Sequence, residues 1–147
     1  MSNVSLSCVL AADCALRDLV DETVDTLIVT GGPALNTAST DVSLIREITR
    51  IASRARRTCS ICTGASILAA AGLLDGRRAT THWAVSARLR KQFPAMTVES
   101  DKAYIRDGPI ATSGGVSAGI DLALSLIDED LGSRVTLSVA CWLVVFA

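Results

Sequence analysis

Three times in this chain a short run of apolar and β-branched residues ends in a cluster of small residues and gives way to sequence of helical character. The runs are "DTLIVTGG" (25–32), "CSICTG" (59–64) and "PIATSGG" (109–115). Strands that alternate with helices in this way pair side by side in parallel, because each crossover helix returns the chain to the same edge of the sheet. The pattern therefore predicts one α/β sandwich with a mostly parallel sheet and helices on both faces. In such sheets the loops at the carboxyl ends of the strands gather along one edge, which is where ligands bind. Gly31-Gly32, Cys62-Thr63-Gly64 and Ser113-Gly114-Gly115 all belong to that edge.

The remaining segments fill in the alternation. "VSLSCVL" (4–10) reads as a strand and "LRDLV" (16–20) as a short helical turn. "TDVSLIREITRIASRARR" opens on Thr40 or Asp41 as N-cap, carries apolar residues at 44, 45, 48, 51 and 52, and places Arg46, Arg50 and Arg54 in an outward row expected to be a solvated face. A strand around Arg78 to Thr81 precedes a helix that Pro94 ends. "MTVES" and "AYIRDG" have strand composition and are expected to pair as a hairpin or meander. A long apolar helix runs from about Val116 to Leu131, and "SRVTLSVACWLVVFA" is helical and strongly apolar to its end. There are no repeats, linkers or low-complexity tracts.

Composition narrows the class. The 147 residues suffice for one domain with a real core and not for two, and the 3% aromatic content with abundant small aliphatics suits helices layered on a sheet covered on both faces. Mean hydropathy is high at +0.43, yet no apolar run approaches the roughly 18 residues of a membrane span. A formal net charge of −1 gives no global attraction to nucleic acid or anionic lipid, so any DNA contact must come from another domain. The amino terminus lacks a positive region and a long apolar core, and thus reads as no targeting signal. An odd count of five cysteines without framework spacing points to a reducing compartment, hence a cytoplasmic protein.

Cys59 and Cys62 form a lone C-x-x-C. It is a poor redox pair, because Cys59 belongs to the strand and alternate strand residues face opposite ways. It is also a poor zinc site, because His82 is the single histidine and has no companion ligands. No metal and no cofactor is expected. Cys62 stands where the period changes from strand to helix. Such an elbow exposes its side chain above the sheet, and the N–H groups of the following turn favour a thiolate and can hold an oxyanion, from Thr63 and also Gly32. The alternative is a small buried hydrophobe. His82, twenty residues on at a strand end, either assists Cys62 as base or ion-pair partner or is a hydrogen-bonded structural histidine beside Trp83. The Gly114-Gly115 pair is equally well a ligand-contacting loop or an ordinary βα turn.

"CSICTGASILAAAGLLDGRRATTHW" resembles the nucleophile elbow of the PfpI-like superfamily, relatives of class I glutamine amidotransferases with a flavodoxin-like three-layer sandwich. "LIVTGGP" is similar to that family's glycine-paired oxyanion loop, "ATSGGVSAGIDLALSLI" to its late strand and helix, and "VACWLVVFA" to the final helix of the sensor domain in GlxA-type members of the AraC-family transcription regulators. The resemblance implies Cys62 and His82 as candidate catalytic or vestigial residues, with Gly31, Gly32, Thr63, Gly64, Ser113 and Gly114 around an oxyanion or ligand site. It implies a small-molecule effector, a homodimer, and DNA contact only through a helix-turn-helix domain that this sequence does not include. Two other functions share the site: an isonitrile hydratase-like enzyme with Cys62 as nucleophile, and a redox-responsive cysteine sensor.

Family domains open with a further strand and helix, typically with a motif such as "FPGF", and the acidic partner of the elbow cysteine follows that first strand. Neither Asp13 nor Asp18 has a matching context. The expectation is a single PfpI-like domain over residues 1–147 that lacks the first strand-helix unit and the DNA-binding domain. Its apolar carboxyl end and high hydropathy would then be surfaces that pack against those parts.

Overall fold

A computed structural model describes residues 11–20, 22–32 and 38–145. Four strands form the main sheet: β1 (Thr26–Thr30), β2 (Arg57–Ile61), β5 (Tyr104–Asp107) and β6 (Ile110–Ser113), in the order β1-β2-β6-β5. The first two pairs are parallel, with Thr30 opposite Ile61 and Ile61 opposite Ser113, so the three small-residue loops emerge side by side at one edge. β5 pairs antiparallel with β6. The expected strand at 4–10, with Cys8, lies outside the described residues.

The sheet carries helices on both faces, as a flavodoxin-like sandwich requires. α1 (Val42–Ala52) begins at Asp41, whose carboxylate accepts the N–H groups of Ser43 (2.9 Å) and Leu44 (3.1 Å). It turns Ile48 and Ile51 inward. With α2 (Ala65–Ala70) and α3 (Trp83–Gln92) it closes a core of Val29, Ile67, Leu68, Leu74 and Leu89. On the other face α4 (Val116–Leu131) sets Leu122 and Leu126 against Cys59 and Ala111. Gly132, at φ +81, ends α4, and α5 (Ser133–Trp142) folds back against it. None of the described helices is long and apolar enough to cross a membrane. Apolar side chains of α4, of α5 and of the segment after it remain in solvent, Val116, Trp142 and Val144 each more than four-fifths exposed.

Two expectations are corrected. "MTVES" and "AYIRDG" do not pair with each other. Instead β4 (Thr97–Val98) joins β3 (Arg78–Ala79) in a separate two-stranded parallel ribbon, while β5 turns through Gly108 (φ +61) onto β6. A tight turn after Asp107 outcompetes the polar Asp101-Lys102 junction as the hairpin. Nor is the arginine row of α1 simply solvated. Arg50 pairs with Glu47 at 2.7 Å and donates to the carbonyls of Leu16 (2.9 Å) and Leu19 (3.0 Å), and Arg54 donates to Val20 (2.6 Å). The 3₁₀ turn Leu16–Asp18 buries no side chain, and these guanidinium contacts fasten the segment to α1 and the residues just after it.

Candidate functional site

β2 ends at Ile61, and the next residue has φ +58. For a residue with a Cβ this left-handed conformation is disfavoured and costs on the order of 1–3 kcal/mol. That residue is Cys62, and it opens the 3₁₀ turn Cys62–Gly64 that runs on into α2. The strand-to-helix elbow read from the sequence is thus present, with the strain such elbows carry.

Close packing beneath the elbow explains its glycines. A Cβ on Gly64 would lie 2.2 Å from the carbonyl oxygen of Val29, so the turn rests directly on β1. A Cβ on Gly31 would lie 2.2 Å from Thr63 Oγ1 and 2.6 Å from Thr63 N. The Gly32 N–H donates to Thr63 Oγ1 at 3.1 Å, which ties the two loops together. These contacts leave an open cavity of about 450 Å³ whose wall includes Gly31, Gly32, Cys62, Thr63, His82 and Val116.

The expected site residues divide accordingly. Cys62, half-buried, shares the cavity with His82, Gly31, Gly32 and Thr63. Gly64 lies buried under the elbow and makes room for backbone rather than ligand. Gly32's N–H is engaged by Thr63, which takes it out of the expected oxyanion role in this conformation. Ser113 is fully buried and its hydroxyl donates to the Ser60 carbonyl at 3.3 Å, while the Gly114 N–H donates to Ala103 at 2.8 Å. Both are consumed by strand and loop pairing, and neither lines the cavity.

His82 performs the structural task foreseen for it and faces the cavity as well. Its Nδ1 accepts the Ala84 N–H at 3.3 Å as the N-cap of α3, which places the proton of the neutral ring on Nε2. Its ring lies 5.4 Å from that of Trp83, tilted by 34°. Among the described residues no hydrogen bond joins His82 to Cys62. The other half of the C-x-x-C, Cys59, is fully buried against α4, and that burial pushes its thiol pKa upward. No group of metal-ligating side chains exists among the described residues.

Three contributors were missed in the sequence. Ile61 and Val116 form an apolar shoulder common to the cavity and to a neighbouring groove of about 340 Å³ between α4 and α5. Thr81, 1% exposed, donates its hydroxyl to the Cys62 carbonyl at 3.0 Å. Its place directly before the candidate histidine was the available signal.

Fold and site together define an α/β sandwich protein with a cysteine at a strained elbow above the carboxyl ends of a parallel sheet. Residues 5–129 match the model of the DJ-1/PfpI family, and the chain belongs to that family. It is 41% identical to isonitrile hydratase of Pseudomonas putida over 109 residues, which are 74% of this chain and 46% of that enzyme. It is 34% identical to the HTH-type transcriptional regulator GlxA of Rhizobium meliloti over 142 residues, 95% of this chain and 43% of the regulator. The chain thus spans about half the length of these relatives or less. The crystal structure of Drosophila melanogaster DJ-1beta matches 94% of this chain and covers 73% of that protein, with a TM-score of 0.80 at 24% identity, a likeness of fold.

Proposed function

We propose that this chain is the ligand-sensing domain of a transcription regulator of the AraC class, taking a small-molecule effector into the cavity above Cys62. The observation that carries this reading is the similarity to a helix-turn-helix regulator along nearly the whole chain. The chemistry of the cavity supports it. Its described wall offers a thiol, an imidazole, a hydroxyl and apolar side chains, and it brings no carboxylate to Cys62. A largely apolar wall with a few polar groups to fix orientation suits a small-molecule ligand. A homodimer, a cytoplasmic setting, and DNA contact through a separate domain belong to the same reading.

The identity to isonitrile hydratase favours a second reading. In that case the Cys62 thiol adds to the isonitrile carbon, which also takes up the proton to give a thioimidate. Water then adds to that carbon and the thiol leaves, releasing the N-substituted formamide, with Thr63 and backbone N–H groups stabilising the adduct. Steady-state assay of residues 1–147 with an alkyl isonitrile, beside Cys62→Ala, separates the two. The sensing reading expects no multiple turnover from the wild-type chain. Turnover that Cys62→Ala abolishes overturns it in favour of the enzyme. A gel-shift titration checks the DNA assignment, with no sequence-specific binding expected from residues 1–147 alone.

A further inference from the structure

The two side chains of the cavity with acid-base or nucleophilic chemistry, Cys62 and His82, come from segments separated by the whole of α2 and β3. One buried hydroxyl joins them. Thr80 is anchored first: its N–H donates to Thr112 Oγ1 of β6 at 2.8 Å and its own hydroxyl to the Lys102 carbonyl at 3.1 Å. Thr81 follows and donates to the Cys62 carbonyl at 3.0 Å. His82 comes next, fixed by the N–H it accepts from α3. Three consecutive residues thus bind the sheet, the elbow and the helix in turn.

We propose that Thr81 is a positioning residue: its hydroxyl holds the Cys62 peptide in its left-handed conformation and sets the elbow against His82. The inference deepens the reading of Cys62 and His82 as one site and rests on it. A left-handed cysteine persists only where surrounding contacts over-determine it. Gly64 over Val29 and Gly31 over Thr63 hold the elbow from the β1 side by close approach. Thr81 is the side chain that holds it from the opposite side, and it does so at the carbonyl of the strained residue itself. Without that donor the Cys62 peptide plane is free to rotate, which moves both the thiol and the Thr63 N–H relative to the imidazole.

Shape and hydrogen bonding at position 81 are separable. Valine keeps the volume and the branched Cβ while removing the donor, and serine keeps the donor while removing the methyl. The test uses the full chain with Thr81→Val and Thr81→Ser, checked for folding by circular dichroism. The rate of Cys62 alkylation by limiting iodoacetamide is followed from pH 6 to 10 by peptide mass spectrometry, with exposed Cys14 as reference in the same digest. Thr81→Val is expected to change the Cys62 to Cys14 rate ratio by about fivefold, the factor that corresponds to one ordinary hydrogen bond, and to displace the midpoint of the Cys62 profile. Thr81→Ser is expected to stay within about twofold of wild type, since the donor is retained.

A wild-type profile in Thr81→Val overturns the proposal, and so does a serine variant as altered as the valine one, which would make the methyl the working part. If Thr81→Val does not fold, Thr81→Ser decides alone: a wild-type profile upholds the hydroxyl and an altered one removes it. Failure of the sensing reading is read elsewhere, as isonitrile turnover, and leaves the comparison between variants intact.

Discussion

The two edges of the main sheet are built on opposite principles. At the carboxyl edge the chain is neutral, glycine-lined and strained, with Cys62 held left-handed above a cavity. At the amino edge it is charged and closed. Arg56 pairs with Asp25 at 2.8 Å and Asp130 at 2.9 Å, Arg57 with Glu129 and Asp130, and Arg106 with Glu129, so that one ionic belt binds the starts of β1 and β2 to the end of α4. The Arg56 guanidinium holds the Asp25 carboxyl well below the usual carboxylate range, and Arg57 lowers that of Asp130. The contrast teaches that the site edge owes its shape to close backbone packing, whereas the opposite edge is held by multivalent pairing that tolerates solvent.

The largest effect that would test this contrast is at Gly64. Its Cβ would meet the Val29 backbone, which cannot move without breaking β1, so Gly64→Ala is expected to cost about 3 kcal/mol or more by urea unfolding. A cost under about 1 kcal/mol would show that the elbow yields easily. The belt's response to acid comes next. Carboxylates with depressed pKa in the fold bind fewer protons there than in the unfolded chain. Their contribution is present above about pH 4 and is lost as pH falls through their folded-state values. Asp130→Asn is expected to flatten the decline in urea midpoint between about pH 4 and 2, and an unchanged slope would mean the belt fastens nothing.

Cys62→Gly should be more stable than Cys62→Ala by about 1 kcal/mol, because glycine adopts positive φ without the Cβ penalty. Equal thermal midpoints would remove strain from the account of that edge. Smallest of all is Ser60→Ala. Ser60 Oγ is fully buried and has no hydrogen-bond partner among the described residues, so its removal should leave stability within about 1 kcal/mol of wild type or slightly above. A larger loss would place a hidden partner at that hydroxyl.

Local chemistry made the parts of the molecule that depend on neighbours in sequence legible. α4 falls at Val116–Leu131 because its apolar periodicity runs unbroken from the Gly114-Gly115 loop to Gly132, and the join at Cys62 is marked by the change of period. Contacts between distant segments were not legible. Nothing near Thr97 says that β4 will pair with β3 rather than with β5, and nothing near Arg50 announces the carbonyls of Leu16 and Leu19 as its partners. The same limit acts at the site. Cys62, His82, Gly31 and Thr63, singled out because their types and spacing carry chemistry, line one cavity. Ser113 lies away from that cavity with its hydroxyl spent on the adjacent strand, and Thr81 was passed over because its partner is a distant backbone oxygen, with only its place before His82 to mark it.

The parallel pairing that frames Cys62 also fixes when in folding the site can exist. The elbow is shaped by contacts that span 31 residues toward β1, as from Gly32 to Thr63, and 53 toward β6, as from Ser60 to Ser113. Closing such loops is entropically unrewarded until the pairings form, which makes parallel sheets slow to assemble. Sixteen-residue α4 is long enough to draw on local helix propensity, whereas six-residue α2 and a left-handed Cys62 have no local reason to persist. The site geometry therefore depends on pairings between segments distant in sequence rather than on the local run around Cys62.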